Sequence, residues 1–281
     1  MRRIPRLPGG RPRGVLDAGR SELQVEGIDH LATRGSLARV AVIAQWSPDC
    51  RLSRSVVELT AQLVKHDYQI VLVSTSPDCG VLKWTGPKPD NITVLRRPNV
   101  GYDFGSWAVA LDRYPSIAAA EQVLLFNDSL AGPFRSIDQL IEHFHESGAD
   151  VWGLTDTSQF CHHLQSYCLG FKAGCLGEAP LMRFWRGIRV EASREDVIWR
   201  NEIGLSRLLA RERYSIDVAI SYRSVVREGE NPTILGWRRL LDLGFPFVKR
   251  QLLSQPEVAP DGSMVREELE RRFGVNVDQW L

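Results

Sequence analysis

The sequence predicts an α/β fold, a three-layer sandwich around a mostly parallel central sheet. Two observations carry this. Short apolar runs of strand length alternate with segments of helical period, joined by short links. The runs are almost continuously apolar, as strands covered on both faces must be. With 281 residues, 43% hydrophobic and 25% charged, the chain has enough material for one large α/β domain or two small ones.

Order is expected to begin at Ala38, where Ala38 to Ala44 forms the first apolar strand. Ser53 can cap a helix with apolar positions at Val56, Val57, Leu59, Leu63 and Val64. Tyr68 to Ser74 and Ile92 to Leu95 supply the next two strands, and a helix follows from about Phe104 to Leu111. Val123 to Phe126 is the fourth strand, Ile137 to Glu146 a helix, and Val151 to Leu154 the fifth strand. Further on, Gln165 to Phe171 reads as one strand and Ile216 to Ala219 as another. Helices are expected at Pro180–Trp185, Ile203–Arg211 and Met264–Phe273, and Pro232 suits the first turn of one over Thr233–Leu243.

Residues 1–36 read as a basic leader without a core of its own, because Met1 to Arg20 hold six arginines against Asp17 alone, interleaved with Pro and Gly. A disordered leader and an arm for an anionic membrane surface are the two readings. Residues 37–255 form the expected main domain and 256–281 a helical extension. The net charge of +1 gives no field that would draw nucleic acid. No apolar run is long enough to span a membrane, and the opening residues lack the apolar stretch of a secretory signal. The five cysteines are therefore expected as reduced thiols in a cytoplasmic protein. Cys161, Cys168 and Cys175, with His162 and His163 between, match no common zinc spacing and read as small buried groups.

A parallel sheet binds ligands beyond the carboxyl ends of its strands, so three loops matter. Asn99-Val100-Gly101-Tyr102-Asp103-Phe104-Gly105 offers glycines for close approach and an acid at a helix start. Asn127-Asp128-Ser129 follows an apolar strand directly. A carboxylate there can hold a divalent cation bridging a nucleotide diphosphate, or the tripeptide can simply close a turn. Thr155-Asp156-Thr157-Ser158 is the third. The chain has no Walker A pattern, no Gly-x-Gly-x-x-Gly after its first strand, no His-Glu-x-x-His and no Gly-x-Ser-x-Gly. This weakens the phosphate-loop, dinucleotide, zinc-protease and esterase readings.

Several blocks in consistent order resemble the rhamnan synthesis protein F family. They are Asn99 to Trp107, Leu125 to Pro133, Val151 to Asp156, His163 to Tyr167, Asn231-Pro232-Thr233 with Trp237, and Gly244 to Arg250. The resemblance spans roughly Ala38 to Leu253. It implies a GT-A-like, Rossmann-like glycosyltransferase fold and transfer of a sugar, often rhamnose, into cell-wall or surface polysaccharide. A nucleotide-sugar donor such as dTDP-rhamnose and a glycan or lipid-linked glycan acceptor follow from it. So does a place in the cytoplasm, with peripheral contact at the inner face of the plasma membrane.

Carried over residue by residue, Asp128 matches the second acid of the Asp-x-Asp-like element that holds magnesium or manganese, while Phe126 stands where the first acid is absent. Glu202, with Asn201 in place of its usual paired acid, matches the general base of inverting relatives, and Asp156 is the rival base. The donor-binding set is Asn99, Gly101, Asp103, Asn127, Asp128, Ser129, His163, Gln165 and Lys249. A non-catalytic module that binds sugar nucleotides is the competing reading. Trp84, Trp107, Trp152 and Trp237 are expected to pack, with sugar stacking as their alternative.

Overall fold

In the computed structural model, which describes residues 13–19, 22–32, 36–77 and 80–281, the main sheet has two faces and each carries its own core. The strands are β1 (Gln24–Glu26), β2 (Arg39–Gln45), β3 (Gln69–Ser74), β4 (Ile92–Arg96), β5 (Gln122–Asn127), β6 (Leu130–Ala131), β7 (Val151–Thr157), β8 (His163–Leu164), β9 (Cys168–Lys172), β10 (Ile216–Ile220) and β11 (Val248–Lys249). Successive strand side chains point to opposite faces. Val40, Val42, Val71, Val73 and Leu125 accordingly enter one core. Ala41, Ile43, Ile70, Leu72 and Leu124 enter the other. Burying a Val, Leu or Ile side chain contributes roughly 1.5–3 kcal/mol, so a continuous apolar run is stable only with helices on both sides.

The main sheet runs β1-β4-β3-β2-β5-β9-β7-β10. Its β4-β3-β2-β5 portion is parallel, as expected. From β2 the chain steps outward through β3 to β4, then lands on the other side of β2 with β5. That reversal is a topological switch point, where the strand ends leave a crevice. Beyond it the sheet is mixed. Of the strand expected over Gln165–Phe171 only the part from Cys168 forms, as β9, and β8 lies just before that span. The link from β7 to β9 holds β8 and too few other residues for a crossover helix, so β9 returns antiparallel to both β5 and β7.

The leader expectation fails where the structure describes that stretch. β1 pairs antiparallel with β4 and closes the sheet edge. The Val15–Gly19 helix packs on the Tyr102–Arg113 helix, and Val15 and Leu31 are fully buried in the first core. A few apolar residues, Val15, Leu16, Leu23, Val25 and Leu31, suffice because they complete an existing core. Residues 1–12, 20–21 and 33–35, with most of the arginines behind the membrane-arm reading, lie outside the described residues.

At the other end, residues 256–281 are helical, with the Val265–Phe273 helix as expected. They share a third core with Ala131, Trp237, Leu241, Val248 and Leu252. Ser55 ties this end to the sheet layer by donating to the Trp280 carbonyl at 2.6 Å. The helix expected over Thr233–Leu243 comes as two, Pro232–Leu235 and Trp237–Asp242, broken at Gly236. A Cβ there would stand 2.3 Å from Val225 Cγ1. Among the described residues no helix is long and apolar enough to cross a membrane.

Candidate functional site

The carboxyl ends of β2, β5 and β7 open onto a cleft of about 880 Å³, the size of a small-molecule site. Asn99, Asp103, Asn127, Asp128, Ser129, His163, Gln165, Glu202 and Lys249 all line it. Nine of the eleven residues singled out in the sequence thus meet in one cavity, although they span 150 positions of chain from Asn99 to Lys249. Gly101 and Asp156 are not among its lining residues.

The wall at β5 is built around Asn127. Its Nδ2 donates to Asp103 Oδ2 at 2.5 Å, and its Oδ1 accepts from the Ser129 amide at 3.1 Å and the Ser129 hydroxyl at 2.6 Å. Asp103 reaches this position because Trp107 Nε1 donates to the Phe126 carbonyl at 2.9 Å, locking the first turns of its helix to the end of β5. Arg97 holds the preceding loop through Ser106 Oγ and the Val100 carbonyl. Burial raises the Asp103 carboxyl above the usual carboxylate range, more than the Asn127 and Phe104 hydrogen bonds lower it. Asp128 is likewise raised by burial, while its Oδ2 accepts from the Trp46 amide at 2.8 Å and Arg250 favours its charged form.

Lys249 arrives by a long-range pairing. β11 runs antiparallel to β6, with Lys249 opposite Leu130, which sets its Nζ 3.2 Å from Ser129 Oγ and 5.0 Å from the Tyr167 ring centroid. Burial lowers its pKa to about 8. Arg250, beside it, donates to Ser53 Oγ at 2.6 Å and to the Leu130 carbonyl at 3.4 Å.

The opposite wall carries Glu202. A five-residue π-helical turn, Ile198–Glu202, feeds the Ile203–Glu212 helix. Such turns re-aim side chains and recur at functional sites. This one buries Asn201 and leaves Glu202 lining the cleft. Glu202 Oε2 accepts from Ser166 Oγ at 2.6 Å, and Oε1 lies 3.1 Å from His163 Nε2. The other ring nitrogen, Nδ1, lies 2.8 Å from the Cys161 carbonyl. Both nitrogens face acceptors, the arrangement of an imidazolium. Burial lowers the His163 pKa, but the bonds to Glu202 and to Cys161 outweigh it and the net shift is upward.

Other expectations resolve differently. Gly101 has φ 79°, but the space a Cβ would need is taken by Val15, whose Cγ2 would lie 2.4 Å away. Its close approach is to Val15 of the protein's own core. Gln165 lines the cleft, yet its amide is consumed internally, accepting from Thr155 Oγ1 at 2.6 Å and donating to Asn231 Oδ1 at 3.1 Å. Asp156 is 5% exposed, and its oxygens bind His162 Nε2 at 2.8 Å and the Tyr222 amide at 2.7 Å. The rival base is therefore occupied in structure. Trp107, Trp152 and Trp237 are fully buried, as packing residues are. The reduced-thiol expectation holds for Cys161, Cys168 and Cys175 and fails at Cys50, which is disulfide-bonded.

Sequence reasoning missed Trp46, Tyr102 and Phe160. They line the cleft at 49%, 44% and 60% exposure, the surfaces that can stack on a flat or sugar ring. Trp46 follows β2 directly, so the strand-end rule could have found it. Arg194 reaches the cleft too, alone among the arginines that crowd residues 183–200.

The side chains do not fit the divalent cation expected on Asp128. Asn127 beside it presents an amide oxygen already accepting two hydrogen bonds, and both Asp103 oxygens accept from amide donors. Among the described residues no three His, Cys, Asp or Glu side chains converge as a metal site. Asp128 keeps its Oδ2 on the Trp46 amide, with the Arg250 cation acting on the same carboxylate.

Known proteins give an independent reading. The virulence protein VirA of Vibrio anguillarum is 30% identical over 223 residues, 68% of this chain and 71% of VirA. An uncharacterised Sinorhizobium fredii protein, y4gN, is 27% identical over 154 residues, 53% of this chain and 40% of y4gN. The family described as rhamnan synthesis protein F matches residues 90–278, a range that runs from β4 to the last helical turn and holds every cleft residue from Asn99 to Lys249. The chain belongs to the rhamnan synthesis protein F family.

Proposed function

We propose that the protein is an inverting, GT-A-like glycosyltransferase that moves a sugar from a nucleotide-diphosphate donor onto a growing cell-surface or cell-wall polysaccharide. The family's description, rhamnan synthesis, makes rhamnose the first sugar and dTDP-rhamnose the first donor to test. The observation that carries the proposal is the cleft at the switch point, with Asp128 and Lys249 in its lining beside Glu202. In this reading the nucleotide lies over the ends of β2 and β5, and Glu202 takes the proton of the acceptor hydroxyl as it attacks the anomeric carbon. His163 and Ser166 hold the carboxylate in place. The acceptor is a glycan or lipid-linked glycan, and the enzyme works in the cytoplasm, peripherally at the inner face of the plasma membrane.

A thermal-shift screen of nucleotide sugars, followed by donor turnover, tests this. A ligand that binds the native state raises the melting temperature by mass action. dTDP-rhamnose is expected to raise it and to be consumed with acceptor. No shift and no turnover with any nucleotide sugar would sink the proposal. The second reading, a binding module without catalysis, draws on Glu202, both of whose oxygens are already engaged. A shift without turnover, unchanged in Glu202→Gln, would favour it.

A further inference from the structure

We propose that Lys249 supplies the positive charge a divalent cation would bring, so that this cleft holds and releases a nucleoside diphosphate without metal. This rests on the transferase reading above and adds what its leaving group meets.

Three observations lead there. The first position of the Asp-x-Asp-like element holds Phe126, which offers no ligand, and the Asn127 amide between it and Asp128 is closed off between Asp103 and Ser129. The β6–β11 pairing then delivers an ammonium to that same turn from 120 residues away. Finally, Lys249 lacks an ionic partner among the described residues. Its nitrogen makes one hydrogen bond among the described residues, to Ser129, and rests over the Tyr167 ring. Glu202, on the opposite wall of the cleft, is already paired with His163. An ammonium has three N–H donors, and a cation drawn out of water without a counter-ion is costly. An anionic ligand between Lys249 and the ends of β2 and β5 satisfies both.

The chemistry balances without a further reactant. The acceptor oxygen forms a bond to the anomeric carbon, and its proton passes to Glu202. The bond from that carbon to the diphosphate oxygen breaks, and its electron pair stays on the diphosphate. Lys249 N–H donors meet that new charge, the preorganised electrostatic stabilisation that favours a transition state over its ground state.

Titration of dTDP by calorimetry tests the idea, in EDTA and again with manganese. Wild type is expected to bind comparably in both. Lys249→Met, an apolar match for length, is expected to weaken binding by about tenfold or more, and Lys249→Arg to retain most of it. Circular dichroism and melting confirm that each variant folds. Charged groups acting on Lys249 are Glu202 and Asp103, which favour the cation, and Arg194, which disfavours it; Arg250 is its chain neighbour. Wild-type binding should therefore fall as pH climbs through about 8, and Lys249→Arg should hold its affinity there. A requirement for manganese overturns the inference, whatever Lys249→Met does, and leaves the transferase reading standing. Absence of dTDP binding in both conditions overturns both.

Discussion

Two neighbouring histidines, His162 and His163, each pair with a carboxylate, and the two pairs have opposite fates. His163 is buried, bonded on both nitrogens, and its partner Glu202 lines the cleft. His162 is 64% exposed in its side chain, and its partner Asp156 is held from behind by the Tyr222 amide. His163 opens β8 opposite Thr157, whereas His162 lies in the bend just before the strand. A carboxylate beside a histidine is therefore no signature of chemistry by itself. What separates the pairs is whether the acid's remaining lone pairs meet a cavity or a backbone donor.

The largest expected effect breaks the symmetry outright. Glu202→Gln should lower turnover by about 10²–10⁴-fold, the range for loss of a general base, with donor affinity kept. Asp156→Asn should cost far less turnover, because the amide oxygen still accepts from Tyr222. Steady-state kinetics on both variants decides it. Equal losses would mean that Asp156 shares the chemistry and that the comparison is wrong.

Stability should sort the pairs the other way. Asp156→Ala strands the buried Tyr222 amide without an acceptor, which costs about 1–3 kcal/mol. That corresponds to a fall in melting temperature of roughly 2–4 °C per kcal/mol for a chain of this class. Glu202→Ala should cost less, because the Ser166 hydroxyl it frees borders the cleft and can turn to water, and the His163 ring, which borders it too, can give up its second proton. Thermal melts of the two variants, side by side, sharpen or refute this division between a structural and a functional acid.

The parallel half of the sheet was legible because each strand from Ala38 to Phe126 is a local apolar run, and so was the cleft at its strand ends. That Glu202, Asp128 and Asp103 line one cleft was legible through motif position. What stayed hidden depends on long-range pairing. Nothing near Val15 announces that it fills the space against Gly101, and the glycine alone suggests a ligand instead. Gln165 reads as a polar group entering a cleft, but Thr155, Asn231 and Thr233 claim its amide from distant segments. Lys249 reads as a charge after an apolar turn, and its place beside Ser129 exists only through β6 and β11. The β9 reversal was lost for a related reason, since a strand's direction is set by its link and its neighbours and not by its own residues.

The smallest effect concerns the pH response of His163. The His163 pKa is raised in the folded state, so its charged form is the one the fold favours. Its contribution is fully present below the unfolded imidazole value of about 6.5 and fades as pH rises through the higher folded value. The melting-temperature difference between wild type and His163→Gln should thus be larger near pH 6, where carboxylates are still ionised, than in the alkaline range. If that difference is flat across the range, Glu202 does not owe its position to a charged His163.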